Sequence, residues 1–111
     1  MSKEIASTIA NQIKCLDRMA MMAWGTKKLF ILPESETSLG GLRIVVSNNP
    51  KIKSECFVDI TLNGKDLYDI KVWKQRYKTV NFVRNYFEDV YATKEDIYFN
   101  DLVSVIDNIL G

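Results

Sequence analysis

The sequence predicts an α+β domain, in which a mainly antiparallel sheet of about five or six strands is flanked by an N-terminal and a C-terminal helix. Three observations support this class. Apolar residues recur with helical spacing at both ends of the chain, they alternate with polar residues through the middle, and an Asn63-Gly64 pair separates two alternating runs. The 111 residues suffice for one core, so we assign residues 1–111 to a single domain.

Both terminal segments have the pattern of amphipathic helices. Between residue 3 and about residue 18, apolar side chains return every three or four positions. Near the other end, Asn100 is a suitable N-cap for a helix over residues 101–110. The side chains expected on the inner faces are Ile5, Ile9, Ile13 and Leu16 in the first helix, and Leu102, Val103, Ile106, Ile109 and Leu110 in the second.

The stretch from Glu55 to Lys74 predicts a β-hairpin around Asn63-Gly64, because both turn residues tolerate positive φ. A two-residue turn would set an apolar row against a charged row, which a sheet with one buried face disfavours. A three-residue loop over 62–64, with Gly64 left-handed as a bulge, matches the apolar rows and brings Val58 opposite Tyr68. A longer loop of the same parity satisfies the same pattern.

The remaining segments are assigned from their alternation and their turn residues. We expect one sheet face to be covered by the helices and the other to be partly open. The predicted elements are a hairpin over 19–32 that turns at 24–27, a loop over 33–41, a strand over 42–47, a turn over 47–54, a strand over 79–91 and a turn over 93–96. Both faces of the 79–91 segment are partly apolar, which suits a strand buried on two sides or a strand with a break.

Several kinds of chemistry are excluded by composition. The chain has no histidine, which removes Ser-His and Cys-His nucleophile pairs, histidine bases and histidine metal ligands. It also has no CxxC, Walker, GxGxxG, GxSxG or HExxH spacing. We therefore expect no catalytic residues, no metal and no cofactor, and a protein that is not an enzyme.

The acidic residues around the hairpin and the two cysteines each have a simple structural interpretation. Asp59, Asp66 and Asp69 could do acid–base work or hold a hard cation, but a turn residue beside two solvated strand positions explains them better. Cys15 and Cys56 are interpreted as small hydrophobic residues of a reducing compartment. No apolar run reaches the roughly 20 residues that span a membrane, and the N-terminus lacks a secretory core, so we expect a cytoplasmic protein that contacts no membrane.

Cations and aromatic residues alternate in the run that follows the hairpin. Residues 65–84 carry six basic and two acidic groups, whereas residues 85–111 carry one basic and six acidic groups. Such a run can contact a partner protein through its aromatic side chains, or single-stranded nucleic acid by stacking and phosphate contact. A protected edge strand explains the same pattern without a ligand. The candidate binding residues are Lys71, Trp73, Lys74, Arg76, Tyr77 and Lys78.

Two motifs carry a family resemblance. The first is Ala23-Trp24-Gly25-Thr26-Lys27-Lys28-Leu29-Phe30, followed by a strand at Gly41–Ile44. The second is the run from Val58 to Ile70, with Val90-Tyr91-Ala92 before the last helix. The chain resembles a group of small phage and mobile-element proteins with an "MTGAKNF"-like first motif and an "ITLNGxDLYDV" second motif. It departs from that pattern at Trp24, at Lys28 and in the PESETSLGG segment.

The resemblance implies a small accessory protein in a bacterial host cytoplasm, which acts on a host defence or DNA-metabolism system. Combined with the missing catalytic motifs, it favours a non-enzymatic protein that binds a host protein. The alternative function is single-stranded nucleic-acid binding through the basic and aromatic run. An exposed edge strand could also pair two copies of the chain as a homodimer.

Overall fold

The computed structural model describes residues 2–36, 38–47 and 55–110. The α+β prediction is confirmed, with helices at both ends and a sheet of five strands between them. The elements are α1 (Ser2–Leu16), α2 (Ala20–Ala23), β1 (Thr26–Leu32), β2 (Gly41–Val46), β3 (Cys56–Leu62), β4 (Tyr68–Val80), β5 (Val83–Ile97), a 3-10 turn (Phe99–Asp101) and α3 (Leu102–Leu110).

The sheet is an antiparallel meander in which the strands lie side by side in chain order, from β1 to β5. One face carries the core. Ile44, Val58 and Val72 form one fully buried row across β2, β3 and β4. Leu42, Ile60 and Ile70 form the next row. The apolar sides of α1 and α3 pack against this face, so the expected division into a covered face and a more open face is confirmed.

Two hydrogen bonds join the terminal helices to the rest of the core. The indole N–H of Trp24 donates to a carboxylate oxygen of Asp107 in α3. The hydroxyl of Tyr68 donates to Oε1 of Gln12 in α1 at 2.7 Å, and burial raises the pKa of this phenol. Among the described residues, no helix is long and apolar enough to cross a membrane.

The N-terminal half departs from the sequence prediction between α1 and β1. Residues 20–23 are helical, so the hairpin expected over 19–32 is wrong. The short helix buries Ala20 and brings Trp24 into the core. Gly25 follows with φ of 71°, and a Cβ there would lie 2.3 Å from the carbonyl oxygen of Ser47. The chain therefore passes from α2 into β1 through a tight turn at Gly25, which packs against the end of β2, and does not form the expected hairpin.

The central hairpin has the predicted parity but a longer loop. Leu62 pairs with Tyr68, which leaves five residues, 63–67, in the loop. The three-residue loop is wrong, and Val58 lies opposite Val72. The left-handed residue is Asp66, with φ of 64°. The side-chain oxygen of Asn63 accepts from the backbone N–H groups of residues 65 and 67, which stabilises this wider loop.

The last third of the chain differs most. The strand expected over 79–91 is interrupted by a turn at 81–82, and the turn expected over 93–96 lies inside β5. There the strand continues through an irregular pairing opposite residues 68–70, with Asp96 left-handed. The loop expected over 33–41 and the strand expected over 42–47 are confirmed with a shift of one residue, because β2 begins at Gly41 and ends at Val46. Residue 37 of the loop and most of the turn expected over 47–54 lie outside the described residues.

Two smaller predictions also change. Asn100 lies within the 3-10 turn that leads into α3, so it does not cap the helix directly. Both cysteines are free thiols. Cys56 is buried in the core as expected, and its burial raises the pKa of the thiol. Cys15 is exposed on α1, so it does not pack in the core as a small hydrophobic residue.

Candidate binding surface

The hairpin of β4 and β5 extends well beyond the rest of the sheet. Pairing of β3 with β4 ends at Trp73, but β4 continues to Val80 and β5 returns from Val83. Within the described part of the chain, residues 74–80 and 83–89 pair only with each other. We call residues 74–89 the arm. Seven strand residues span about 23 Å, so the arm is long enough to act as a separate binding element.

The tip of the arm has an unusual backbone. Asn81 and Phe82 have φ of 51° and 66° and lie between the paired residues Val80 and Val83. Positive φ at both central residues is the geometry of a type I′ turn, which favours Asn followed by Gly. Asn81 suits its position, but a bulky residue rarely adopts a left-handed conformation. Phe82 is nevertheless there, with its side chain fully exposed.

The two faces of the arm carry different side chains. On the first face, the rings of Tyr77 and Tyr86 lie 5.9 Å apart, and the guanidinium of Arg84 lies 4.7 Å from the centre of the Tyr77 ring. Alternation and pairing place Gln75 and Glu88 on the same face. This face therefore presents an aromatic pair with a cation stacked on it.

The second face is the more basic one. Lys74, Arg76 and Lys78 follow one another at every second position of β4. Arg76 forms an ion pair with Asp89 and lies directly opposite Phe87. The arm as a whole carries four basic and two acidic residues, which gives it a net charge of +2.

Exposed apolar side chains cover much of the arm and its tip. Large exposed apolar residues that concentrate in one element of a soluble protein often mark an interaction site. Among the described residues, no side chain of the arm belongs to the buried core. The exposed apolar residues are Tyr77, Val80, Phe82, Val83, Tyr86 and Phe87.

Trp73 does not belong to this exposed surface. It lies on the open face of the sheet, but only 7% of it is accessible. Its indole N–H donates to Oδ2 of Asp59 at 2.9 Å, and its ring lies 4.6 Å from that of Phe57. The guanidinium of Arg43 covers the indole at 4.9 Å. We call Arg43, Phe57, Asp59 and Trp73 the Asp59 cluster.

The Asp59 cluster depends on a buried carboxylate. Asp59 accepts two hydrogen bonds from Arg43, at 2.8 Å from Nε and 3.0 Å from Nη2. These bonds raise the pKa of Arg43, although its partial burial acts in the opposite direction. The interpretation of Asp59 as a solvated strand residue is therefore wrong. Trp73 is also not an exposed contact residue, because the side chains of Arg43, Phe57 and Asp59 cover it.

The six predicted binding residues do not form one surface. Lys71 lies beside Trp73 on the body of the sheet, and its ammonium contacts both carboxylate oxygens of Glu88 at 3.1 and 3.0 Å. Lys74, Arg76 and Lys78 share the basic face of the arm, whereas Tyr77 lies on the opposite face. The exposed apolar surface of the arm also contains residues outside the predicted six, namely Val80, Phe82, Val83, Tyr86 and Phe87. The one sequence feature that indicates a turn among these residues is Asn81, a residue that tolerates positive φ, within an alternating run.

The carboxylates of Asp69 and Asp96 stabilise the loop between β3 and β4. The side-chain amide of Asn63 donates to Asp69 at 3.0 Å and to Asp96 at 2.9 Å. Asp69 also accepts from the backbone N–H of Asp96. A groove of about 230 Å³ lies next to Asp59 and Asp69, but both side chains already have partners. No cluster of potential metal ligands occurs in the part of the chain that the structure describes.

Comparison with known proteins assigns neither a family nor a function to the chain. No family model matches the chain, and neither a curated protein nor a solved structure was found to match it.

Proposed function

We propose that this chain is a non-enzymatic protein that binds another protein through the arm. The observation that carries the proposal is Phe82, a fully exposed aromatic side chain held in a left-handed turn at the tip of a two-stranded projection. Backbone strain tends to occur at functional positions. Aromatic and arginine side chains are also those that contribute most to protein interfaces.

The chemistry of the arm defines the partner surface that it fits. Phe82, with its aliphatic neighbours Val80 and Val83, would enter an apolar pocket. The excess of basic groups along the strands would face acidic side chains around that pocket. We therefore propose a partner with a concave apolar site rimmed by carboxylates.

The phage-protein resemblance extends this proposal to a specific setting. In that setting the partner is a protein of a bacterial host, the chain works in the host cytoplasm, and binding counters a defence or DNA-metabolism system. The extension is supported by the motif likeness alone, whereas the arm supports protein binding independently of it.

The test compares Phe82→Gly with a matched control, Tyr98→Ala. Tyr98 is also an exposed aromatic residue, and it follows the end of β5 that is remote from the tip. A partner captured from a bacterial lysate is purified, and its affinity for each variant is measured by calorimetry. We expect Phe82→Gly to weaken binding by about 30-fold, as for a central interface residue, and Tyr98→Ala to leave the affinity unchanged.

Phe82→Gly also separates binding from folding. Asn-Gly is the preferred pair for this turn, so the variant should be as stable as the wild type or more so. Equal affinity of the wild type and Phe82→Gly for the purified partner would refute the arm as the binding site.

A second candidate function is single-stranded nucleic-acid binding by the basic face of the arm. The observation that favours it is the regular row of Lys74, Arg76 and Lys78, with the ring of Phe87 available for base stacking. Anisotropy titrations of a labelled oligonucleotide should then show affinity falling steeply with salt, with a shallower slope for Lys78→Gln. The absence of binding at low salt would refute this function.

A further inference from the structure

The free edge of β1 exposes side chains that resemble an interrupted core. Leu29 and Ile31 pair with the buried residues Ile44 and Leu42 of β2, so they lie on the helix-covered face. They are nevertheless 46% and 51% exposed. On the other face, Phe30 is also exposed. The apolar layer of the sheet therefore continues to its edge and ends there without cover from the described residues.

The two edges of the sheet are protected to different degrees. Natural edge strands avoid pairing by means of bulges and charged residues. On β5, pairing is irregular in two places and the strand carries six charged residues. On β1, pairing is irregular between Thr26 and Lys28, two lysines stand at positions 27 and 28, and Pro33 follows the strand, but the four residues 29–32 between them are all apolar. Strand addition is therefore favoured at β1.

We infer that β1 pairs antiparallel with β1 of a second copy of this chain, around a two-fold axis at Ile31. A two-fold axis perpendicular to the sheet keeps the helices of both copies on one side. Residues directly opposite each other must then belong to the same face in both copies. Within residues 28–32 of β1, positions 29 and 31 lie on the helix face and positions 28, 30 and 32 on the open face, so the axis passes through a residue.

Charge complementarity selects which residue lies on the axis. With Ile31 at the centre, Phe30 of each copy lies opposite Leu32 of the other. Lys28 then lies opposite Glu34, the second residue after the end of β1, and Leu29 lies opposite Pro33, which has no N–H to donate. Centring the axis on Phe30 would instead place Lys28 opposite Leu32 and leave the charges unmatched. Within the described residues, neither Lys28 nor Glu34 forms an ion pair. Each is therefore available to the second copy.

A charge-reversal series tests the inference by sedimentation equilibrium of the full chain at low salt. Lys28→Glu and Glu34→Lys each place like charges opposite one another twice in the dimer. Each should raise the dimer Kd by about tenfold, whereas the double variant restores the opposite charges and should return the Kd toward the wild-type value. At a concentration of about 100 µM, a dimer with a Kd in the low micromolar range would be largely associated. A wild-type chain that stays monomeric there would refute the dimer. A double variant no better than the single variants would refute this register.

Disulfide trapping provides a second, register-specific measurement. In a Cys15→Ser background, Ile31→Cys places the two new thiols opposite each other across the axis. Leu29→Cys is the matched control, on the same face and about equally exposed, but its two thiols lie four positions out of register. Covalent dimer from Ile31→Cys alone supports the inference, and equal trapping of both variants refutes it. The arm lies on the opposite side of the sheet, so failure of this dimer leaves the proposed binding function standing.

Discussion

Asp59 stabilises the open face of the sheet because it satisfies three donors at once. Its carboxylate accepts two hydrogen bonds from Arg43 and one from Trp73. The ring of Phe57 lies against both donor side chains, 4.6 Å from the ring of Trp73 and 5.5 Å from the guanidinium of Arg43. A charged pair in such surroundings contributes little when compared with an apolar substitute, but loss of one member is costly.

We expect Asp59→Ala to reduce the free energy of unfolding by about 2 to 3 kcal/mol. This value lies below that of a fully buried pair, because the side chain of Arg43 remains 29% exposed. The matched control is Glu55→Ala, which removes the exposed ion pair with Lys27 and should cost less than about 1 kcal/mol. Urea denaturation measures both variants, and equal losses would contradict the role of the Asp59 cluster.

At the scale of single elements, the hairpin of β3 and β4 shows what an alternating pattern determines. Parity specified which side chains share a face, because a slip by one residue would reverse every side chain. It did not specify loop length, since three and five residues give the same parity. The five-residue loop depends on the side chain of Asn63, whose partner Asp96 is 33 positions away in the chain. Local sequence could not reveal that contact.

The two observed roles of Asn63 and Gly64 lead to opposite expectations for alanine. Asn63→Ala removes acceptors from two backbone N–H groups and donors from two carboxylates, so it should cost about 2 kcal/mol. Gly64→Ala should change stability by less than about 0.5 kcal/mol, because its Cβ would meet no atom within 4 Å and its φ is not positive. Thermal denaturation distinguishes this loop from a bulged turn, in which Gly64→Ala would be clearly destabilising.

At the scale of the whole molecule, the arm explains why part of the candidate surface was predictable and part was not. The basic and aromatic residues of β4 are visible in the sequence as an alternating run. Residues 79–91, however, are partly apolar on both faces, a pattern that fits a strand buried on two sides as well as a strand with a break. Only the pairing of β4 with β5 shows that most of these residues extend beyond the end of β3 and are exposed. The turn between them also has a phenylalanine where glycine would have signalled it.

The arm should be separable from the domain that carries it. Residues 76–87 can be replaced by Asn-Gly, because Gln75 and Glu88 are cross-strand partners and a two-residue turn can join them. The shortened chain keeps the contact of Lys71 with Glu88 and loses no buried apolar side chain of the described core. We therefore expect its melting temperature to stay within about 5 °C of the wild-type value. Its affinity for the purified partner should be lost, while dimerisation through β1 continues. A shortened chain that cannot fold would instead show that the arm is part of the cooperative core, and circular dichroism would detect this directly.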